Sequence, residues 1–431
     1  MFSVSPGTRY PTGASARNDG INFSIFSRHA TRVWLTLYAG PREQTPLQVI
    51  ELDPVENRTF FFWHVFVEAA RPGLYYTWRA DGPANTRESG CSFDARRELL
   101  DPWARAVDAS LWSRARAAVD ASAPGIRGRV LPADGYDWQG DSLVAGELAD
   151  AVIYELHVGG FTRGARVDHP GSFAALIDQI PYLEALGVTH VELLPVMAFD
   201  EQDVPAGVAA RGLSNFWGYS TYGFYAPHPG YAVTDDPRRE FRDMVRALHE
   251  SGIGVIMDVV FDHTAEGGEG GPVINFKGLG NEFFYHLDPA DRRRYRDYTG
   301  TGNTVNCNHP LVARFIIDCL EYWARDMHVD GFRLDLASVL ARGEDGQPME
   351  HPPVLWAAEF STALAGHQLI AEAWDAAGMY QVGEFPGFRW SEWNGDYRDT
   401  VRRAVRAEHG LRGRLASRIA GSSDLYRDAV S

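Results

Sequence analysis

The 431-residue sequence predicts an α/β fold in two parts, an N-terminal β-sandwich followed by a parallel sheet with helices. Three observations support this prediction. Up to about residue 110, short apolar segments alternate with Gly, Pro and Asn, which is the spacing of a small sandwich. From residue 151 onward, apolar strands alternate with segments of helical periodicity, which is typical of a parallel sheet. Two of the later strands end in a carboxylic acid, which indicates a site at one edge of that sheet.

Four segments carry the sandwich prediction, because their apolar and polar residues alternate as half-buried strands do. They are residues 20–26, 33–38, 61–67 and 74–78. We assign residues 1–115 to this module. Glycines and prolines are frequent in residues 116–150, and this stretch is predicted to be a linker.

The remaining residues, 151–431, are predicted to form the strand–helix part. Strands are expected at 151–158, 188–194 and 254–261, and helices at 173–186, at 237–251 and from Pro310 onward. The helix at 173–186 is predicted despite Pro181. The connection from about 265 to 309 is too long for an ordinary turn, and connections of this length are usually functional.

Composition excludes several classes of protein. The net charge of −16 argues against a nucleic-acid or anionic-membrane partner, and it is compatible with a neutral substrate or with simple solubility. Cys91, Cys307 and Cys319 are an odd number without a framework spacing, which predicts reduced thiols. The N-terminus has neither a basic start nor an apolar segment, and no later run could span a membrane. A cytoplasmic location is therefore expected.

Two acids at strand ends suggest catalysis. Arg333 and Asp335 are two residues apart in an apolar strand, so their side chains share a face and the arginine favours the ionised carboxylate. An isolated pair of this kind is more often a structural salt bridge. Glu372, however, stands near the end of the next apolar strand, one strand–helix unit later. It adjoins Trp374, and apolar surroundings would raise its pKa and keep a proton available.

Together with residues 258–264, these segments resemble the signature segments of the α-amylase family of glycoside hydrolases (family 13), in its glycogen debranching and isoamylase branch. The resemblance implies a (β/α)8 TIM-type barrel, with Asp335 as nucleophile and Glu372 as general acid and base. It also implies that five residues bind the substrate. These are Arg333, His263, Tyr219, Asp258 and Trp374.

The N-terminal part resembles the early-set module of debranching and branching enzymes, including residues 99–104 near its end. This module packs on the catalytic domain in the family, and in some members it also binds glucan. No metal is expected, because the histidines lack paired ligand spacing and the debranching branch does not generally depend on calcium. No cofactor is expected either.

The implied activity is retaining hydrolysis of α-1,6 branch linkages in glycogen, limit dextrin or another branched α-glucan. Maltooligosyltrehalose trehalohydrolase and branching enzyme are alternatives on the same scaffold. An alternative of another class is a non-catalytic glucan-binding protein or one half of a split enzyme.

The sequence departs from the family at three places. Position 262 is Asp where the family has Asn, and position 373 is Ala where debranching enzymes have Pro. The family's fourth segment, whose His-Asp pair supplies a third catalytic carboxylate, is not found before residue 431. We therefore expect an incomplete barrel of about six strands. We also expect self-association or a complementing C-terminal half, and weak hydrolysis or none by this chain alone.

Overall fold

The computed structural model describes residues 1–144, 146 and 148–426. Its N-terminal part consists of two antiparallel sheets whose apolar side chains pack into a shared core. One sheet has the order β1-β7-β3-β2 with β6 paired to β7, and the other has the order β5-β4-β8-β10-β9. The predicted sandwich is confirmed. Its strands are β1 Val4–Pro6, β2 Gly13–Arg17, β3 Gly20–Phe26, β4 Arg32–Tyr38, β5 Gln48–Glu51, β6 Arg58–Thr59, β7 Phe62–Glu68, β8 Tyr75–Asp81, β9 Val107–Asp108 and β10 Arg127–Arg129.

Strand β10 lies inside the stretch that was predicted to be a linker. It pairs with β8 and β9, and the buried Arg127 side chain lies 3.5 Å from the centre of the Tyr38 ring. Arg127 also donates hydrogen bonds to the carbonyls of Gly40, Pro41 and Glu43. Local composition indicates a loop here, but these long-range contacts hold the segment as a strand. Residues 145 and 147 of the same stretch lie outside the described residues, and the division into domains stays a prediction.

The second part is built on a parallel sheet of six strands in the order β11-β12-β15-β16-β17-β18. Strands β13 and β14 form a separate antiparallel pair. The predicted open barrel of about six strands is confirmed. The strands are β11 Ile153–Leu156, β12 His190–Leu193, β13 Met197–Phe199, β14 Thr221–Pro227, β15 Gly254–Val259, β16 Gly331–Leu334, β17 Gln368–Ala371 and β18 Trp390–Glu392.

Helices connect these strands. They are α1 Thr86–Ser89, α2 Arg114–Val119, α3 Val158–Phe161, α4 Phe173–Ile177, α5 Ile180–Leu186, α6 Ala206–Ala209, α7 Pro237–Glu250, α8 Phe276–Phe284, α9 Pro310–Arg325, α10 Pro353–Glu359, α11 Gly395–Val405 and α12 Arg412–Ile419. Short 3₁₀ segments occur at Leu148–Asp150, Pro229–Tyr231 and Ala337–Ala341. Among the described residues, no helix is long and apolar enough to cross a membrane.

The single helix predicted at 173–186 is in fact two helices, α4 and α5. Pro181 lies in the first turn of α5, where a missing backbone N–H leaves no helical hydrogen bond unmade. The long connection at 265–309 is also not simply a loop, because it contains α8. Helix α9 buries the predicted stripe, from Val312 to Trp323, against the sheet.

Candidate active site

Three adjacent parallel strands bring the predicted acids to one end of the sheet. Asp258 lies in β15, whereas Asp335 and Glu372 are the first residues after β16 and β17. The expectation that both acids lie within their strands is therefore wrong by one residue. The backbone pairing nevertheless continues past the strands, because the Asp335 N–H donates to Val259 at 3.0 Å and the Glu372 N–H to Leu334 at 3.2 Å. Both side chains are thus held at the carboxyl edge of the sheet.

Arg333 binds all three carboxylates. Its Nη1 donates to Asp258 at 2.9 Å and to Asp335 at 2.7 Å, and its Nη2 lies 2.8 Å from Glu372 Oε2. The arginine side chain is 3% exposed, and its Cζ lies 4.2 Å from the centre of the Trp393 ring. One buried guanidinium therefore positions both proposed catalytic acids.

The pKa of Asp335 differs from the one that pairing with Arg333 alone would predict. Burial raises the pKa of Asp335, and the neighbouring Asp262 carboxylate raises it further, while Arg333 and His263 lower it only in part. The predicted effect of Arg333 on the pKa of Asp335 is present but is outweighed by burial and by the Asp262 carboxylate. Burial likewise raises the pKa of Glu372, which is the predicted direction.

His263 carries a buried partner of its own. Its Nδ1 lies 2.7 Å from Asp262 Oδ2, and both side chains are almost fully buried. Burial alone would lower the pKa of His263, but Asp262 outweighs it and raises this pKa to about 9. Ligand atoms of Asp262, His263 and Asp335 lie within 4.8 Å of one another, the one group of this kind in the described part of the chain. A protonated imidazole cannot ligate a cation, so the charge on His263 counts against a metal here at neutral pH.

Tyr219 reaches the same cluster from the loop before β14. Its hydroxyl donates a 2.5 Å hydrogen bond to Asp258 Oδ2. Asp258 is 1% exposed, and burial raises its pKa well above the ordinary range. Tyr219, Asp258 and Arg333 therefore form one continuous hydrogen-bonded group.

Trp374 lies beside this cluster rather than in it. Its ring stacks on Tyr380 with 6.0 Å between the ring centres, and the Arg398 guanidinium lies 5.9 Å from its centre. These three residues line a surface cavity together with Asp396. Trp374 thus lines a separate cavity, and it is not among the groups that raise the pKa of Glu372.

Two residues of the cluster were missed from the sequence. Trp393 follows β18 directly, and no strand was predicted from the sequence at that position. Glu192 is an acid inside the apolar strand β12, and burial raises its pKa to about 7 while Arg333 lowers it in part. A carboxylate in an otherwise apolar buried strand was the available signal.

The family models match both parts of the chain. The model for carbohydrate-binding module 48, the isoamylase N-terminal domain, matches residues 11–104. The model for the α-amylase catalytic domain matches residues 134–270.

Curated relatives match over nearly the whole chain. Isoamylase 1, chloroplastic, of Oryza sativa subsp. japonica is 40% identical over 98% of this chain and 56% of its own length. The glycogen operon protein GlgX homolog of Mycobacterium tuberculosis is 40% identical over 98% of this chain and 60% of its own length. The glycogen debranching enzyme of Dickeya chrysanthemi is 38% identical over 99% of this chain and 64% of its own length. The chain thus spans little more than half the length of these relatives.

Solved structures agree on the fold. The pullulanase of Anoxybacillus sp. LM18-11, solved with maltotetraose, superposes with a TM-score of 0.73 at 23% identity, over 96% of this chain and 58% of that one. The chain is therefore similar over nearly its whole length to isoamylase 1 and to the glycogen operon protein GlgX homolog, and it contains segments that match carbohydrate-binding module 48 and the α-amylase catalytic domain.

Proposed function

We propose that this chain carries the catalytic pair of a retaining glycoside hydrolase that cleaves α-1,6 branch linkages in glycogen or limit dextrin. The observation that carries the proposal is the joint binding of Asp335 and Glu372 by Arg333 at neighbouring strand ends. Relatives named isoamylase and glycogen debranching enzyme support the choice of linkage.

The proposed chemistry has two steps. Ionised Asp335 attacks the anomeric carbon while Glu372 protonates the leaving glucan oxygen, which forms a glycosyl ester on Asp335. Glu372, now ionised, then takes a proton from water, and the hydroxide oxygen displaces Asp335 from the sugar. The raised pKa of Glu372 suits the acid role, because its proton is retained closer to neutral pH. Arg333 favours the ionised state that Asp335 needs.

The other predicted residues would orient the sugar. The charged His263 imidazole offers a hydrogen-bond donor next to Asp335, and its own orientation is fixed by Asp262. The Tyr219 ring offers a stacking face while its hydroxyl is held by Asp258. Trp374 and Tyr380 would contact the glucan on the leaving-group side, since they lie beyond Glu372.

A second candidate, glucan binding without catalysis, is favoured by the module match at residues 11–104.

We also propose a cytoplasmic location. The three cysteines are free and buried, which agrees with a reducing compartment, although the named plant relatives are chloroplastic.

The test is the release of reducing ends from glycogen, limit dextrin and linear amylose by the purified chain. We expect slow release at most from the branched glucans, and any release should disappear in Asp335→Asn and Glu372→Gln. The exposed pair Asp178→Asn and Glu184→Gln provides matched controls. Release from linear chains alone would contradict the debranching proposal. Sedimentation with glycogen but no release would favour glucan binding instead.

A further inference from the structure

A small cavity lies where the sandwich meets the strand–helix part. Its volume is about 120 Å³, enough for several water molecules or one tetrahedral anion. Ser15 of β2, Arg105, Arg129 and the first turn of α7 with Arg238 contribute to its lining, as does Asp134. Arg129 of this lining pairs with Asp235, and Arg238 shares Asp134 with Arg242. Positive groups still outnumber carboxylates here, in a chain whose overall net charge is −16. The positive charge of this cavity is therefore local.

The hydrogen-bond donors of this cavity are incompletely satisfied. Arg238 is 7% exposed, and its closest charged partner, Asp134, is 3.6 Å away. Asp134 is already taken by Arg242, which donates to it at 2.9 and 2.6 Å. The lining carboxylate is therefore shared between two guanidinium groups and compensates Arg238 only in part.

Two further donors have no partner among the described residues. The Nε of Arg129 is buried and unpartnered, although its two Nη atoms bind Asp235 at 2.5 and 2.9 Å. The Ser15 hydroxyl is also buried without a partner. Arg105 is exposed, and its guanidinium contacts only the face of the Tyr322 ring, at 4.9 Å from its centre. The Ser15 hydroxyl, the Arg129 Nε and the Arg105 guanidinium are therefore free to donate hydrogen bonds to a ligand in this cavity.

We propose that this cavity binds a phosphate group, either as inorganic phosphate or as the phosphate of a small ester. A tetrahedral oxyanion brings several acceptor oxygens and a negative charge, which match guanidinium and hydroxyl donors. A neutral glucan would not compensate the charge of Arg105, or that of Arg238, which shares Asp134 with Arg242. Because Ser15 belongs to the sandwich and Arg238 to the strand–helix part, the bound anion also joins the two parts of the molecule.

The experiment is calorimetric titration of the full chain with inorganic phosphate and with a glucose monophosphate, at constant ionic strength set by chloride. Saturable binding of one equivalent is expected, together with a rise in the melting temperature as the ligand concentration increases. If both ligands bind equally, the phosphate group alone is recognised. Tighter binding of the ester would place its sugar in the cavity as well, and either result supports the proposal.

Arg105→Gln is the informative variant, because Arg105 makes no hydrogen bond or ion pair in the described residues and its loss should not disturb the fold. We expect at least about tenfold weaker phosphate binding with an unchanged melting temperature in chloride. Arg238→Gln should weaken binding similarly, and Arg116→Gln, at an exposed arginine of α2, should change nothing. The absence of saturable binding to the unmodified chain, or equal affinity in Arg105→Gln, would overturn the proposal.

Discussion

The two ends of the parallel sheet both hold buried charged groups, but they balance them differently. At the carboxyl end, the single guanidinium of Arg333 serves Asp258, Asp335 and Glu372. Burial raises the pKa of each of these acids because it removes water from the charged form, and the shared Arg333 lowers each pKa only in part. Negative charge is therefore in excess at the carboxyl end, and the acids there keep their protons to a higher pH than exposed acids do.

At the amino end, each oxygen of Asp330 has its own donors. Asp330 Oδ1 accepts from the Val144 N–H at 2.8 Å, and Oδ2 accepts from the Val255 N–H at 2.6 Å. His249 bridges this carboxylate to a second one, with Nε2 at 2.8 Å from Asp330 and Nδ1 at 2.9 Å from Asp141. A fully satisfied network rigidifies the fold, whereas an under-compensated one perturbs pKa values, as catalytic groups require. The comparison indicates a structural amino end and a chemical carboxyl end, as in barrel enzymes.

The largest effect should follow from removing the shared cation. Arg333→Ala leaves three buried carboxylates without their partner, and we expect a loss of about 3–5 kcal/mol in the free energy of unfolding at pH 8. The pKa values of these acids would rise further in the folded state. Above their unfolded pKa values this costs stability, and the cost disappears as pH falls through the folded pKa values. The variant should thus be less destabilised at pH 5 than at pH 8.

Urea denaturation of both proteins at the two pH values measures this prediction. The conservative Arg333→Lys variant keeps the positive charge but not the planar guanidinium that contacts the three carboxylates. Its free energy of unfolding should lie between that of the unmodified chain and that of Arg333→Ala. A loss below about 1 kcal/mol, in the range of an exposed ion pair, would show that the cluster is not held by this arginine.

Disrupting the network at the amino end should lower the free energy of unfolding without changing glucan hydrolysis. His249→Ala is expected to cost about 2–3 kcal/mol, because Asp141 and Asp330 each lose a buried donor. Burial alone would lower the pKa of His249, but Asp330 and Asp141 outweigh it and raise this pKa. The stabilisation is therefore complete below the unfolded pKa and is lost as pH rises through the folded pKa.

Urea denaturation between pH 5 and 9 would test this expectation, with the glucan assay run on the same samples. The variant should lose the pH dependence that the histidine contributes, while the release of reducing ends per folded molecule stays unchanged. A selective loss of activity would contradict the division between the two ends.

The difference between the two ends also explains what the sequence could predict. The strands, the sandwich and the acids at strand ends follow from local periodicity, and Asp335 and Glu372 were found on that basis. The number of carboxylates bound by Arg333 depends on the pairing of β15, β16 and β17, which are far apart in the chain. The raised pKa of Asp335 could not be predicted without that pairing.

The amino-end network could not be predicted from the sequence, because it too joins residues that are far apart in the chain. His249 lies in the last turn of helix α7, Asp330 precedes β16, and Asp141 lies in the stretch predicted to be a linker. No spacing rule joins these positions. The break between α4 and α5 is different, since Pro181 was visible and the error was to give periodicity more weight than the missing N–H.

A smaller effect is expected at the pair of Asp262 and His263. Asp262→Asn removes the charge that raises the pKa of His263 to about 9, so this pKa should fall toward its ordinary value or below, because burial then dominates. In the unmodified chain, the stabilisation by this pair is complete below about pH 6.5 and is lost as pH rises through about 9. The variant should lack this dependence and lose about 1–2 kcal/mol at pH 6, since asparagine keeps a weaker hydrogen bond.

Titration of the His263 ring by NMR, together with urea denaturation from pH 6 to 10, distinguishes the outcomes. His263→Gln serves to assign the resonance. An unchanged pKa for His263 in Asp262→Asn would show that another group charges the imidazole, and Asp335 is the nearest candidate.

The smallest effect should come from the Tyr219 hydroxyl, which is a neutral donor to Asp258. Tyr219→Phe removes the 2.5 Å hydrogen bond but keeps the ring, and Arg333 continues to bind the other carboxylate oxygen. We expect a loss of about 1 kcal/mol in unfolding free energy and a further rise in the pKa of Asp258, because the hydroxyl lowers that pKa. If the ring stacks on the sugar as proposed, KM for glycogen should change less than kcat. The exposed Tyr397→Phe on α11 is the matched control and should change neither quantity. A loss as large as that of Arg333→Ala would contradict the view that the guanidinium dominates this cluster, because one neutral donor would then match a shared charge.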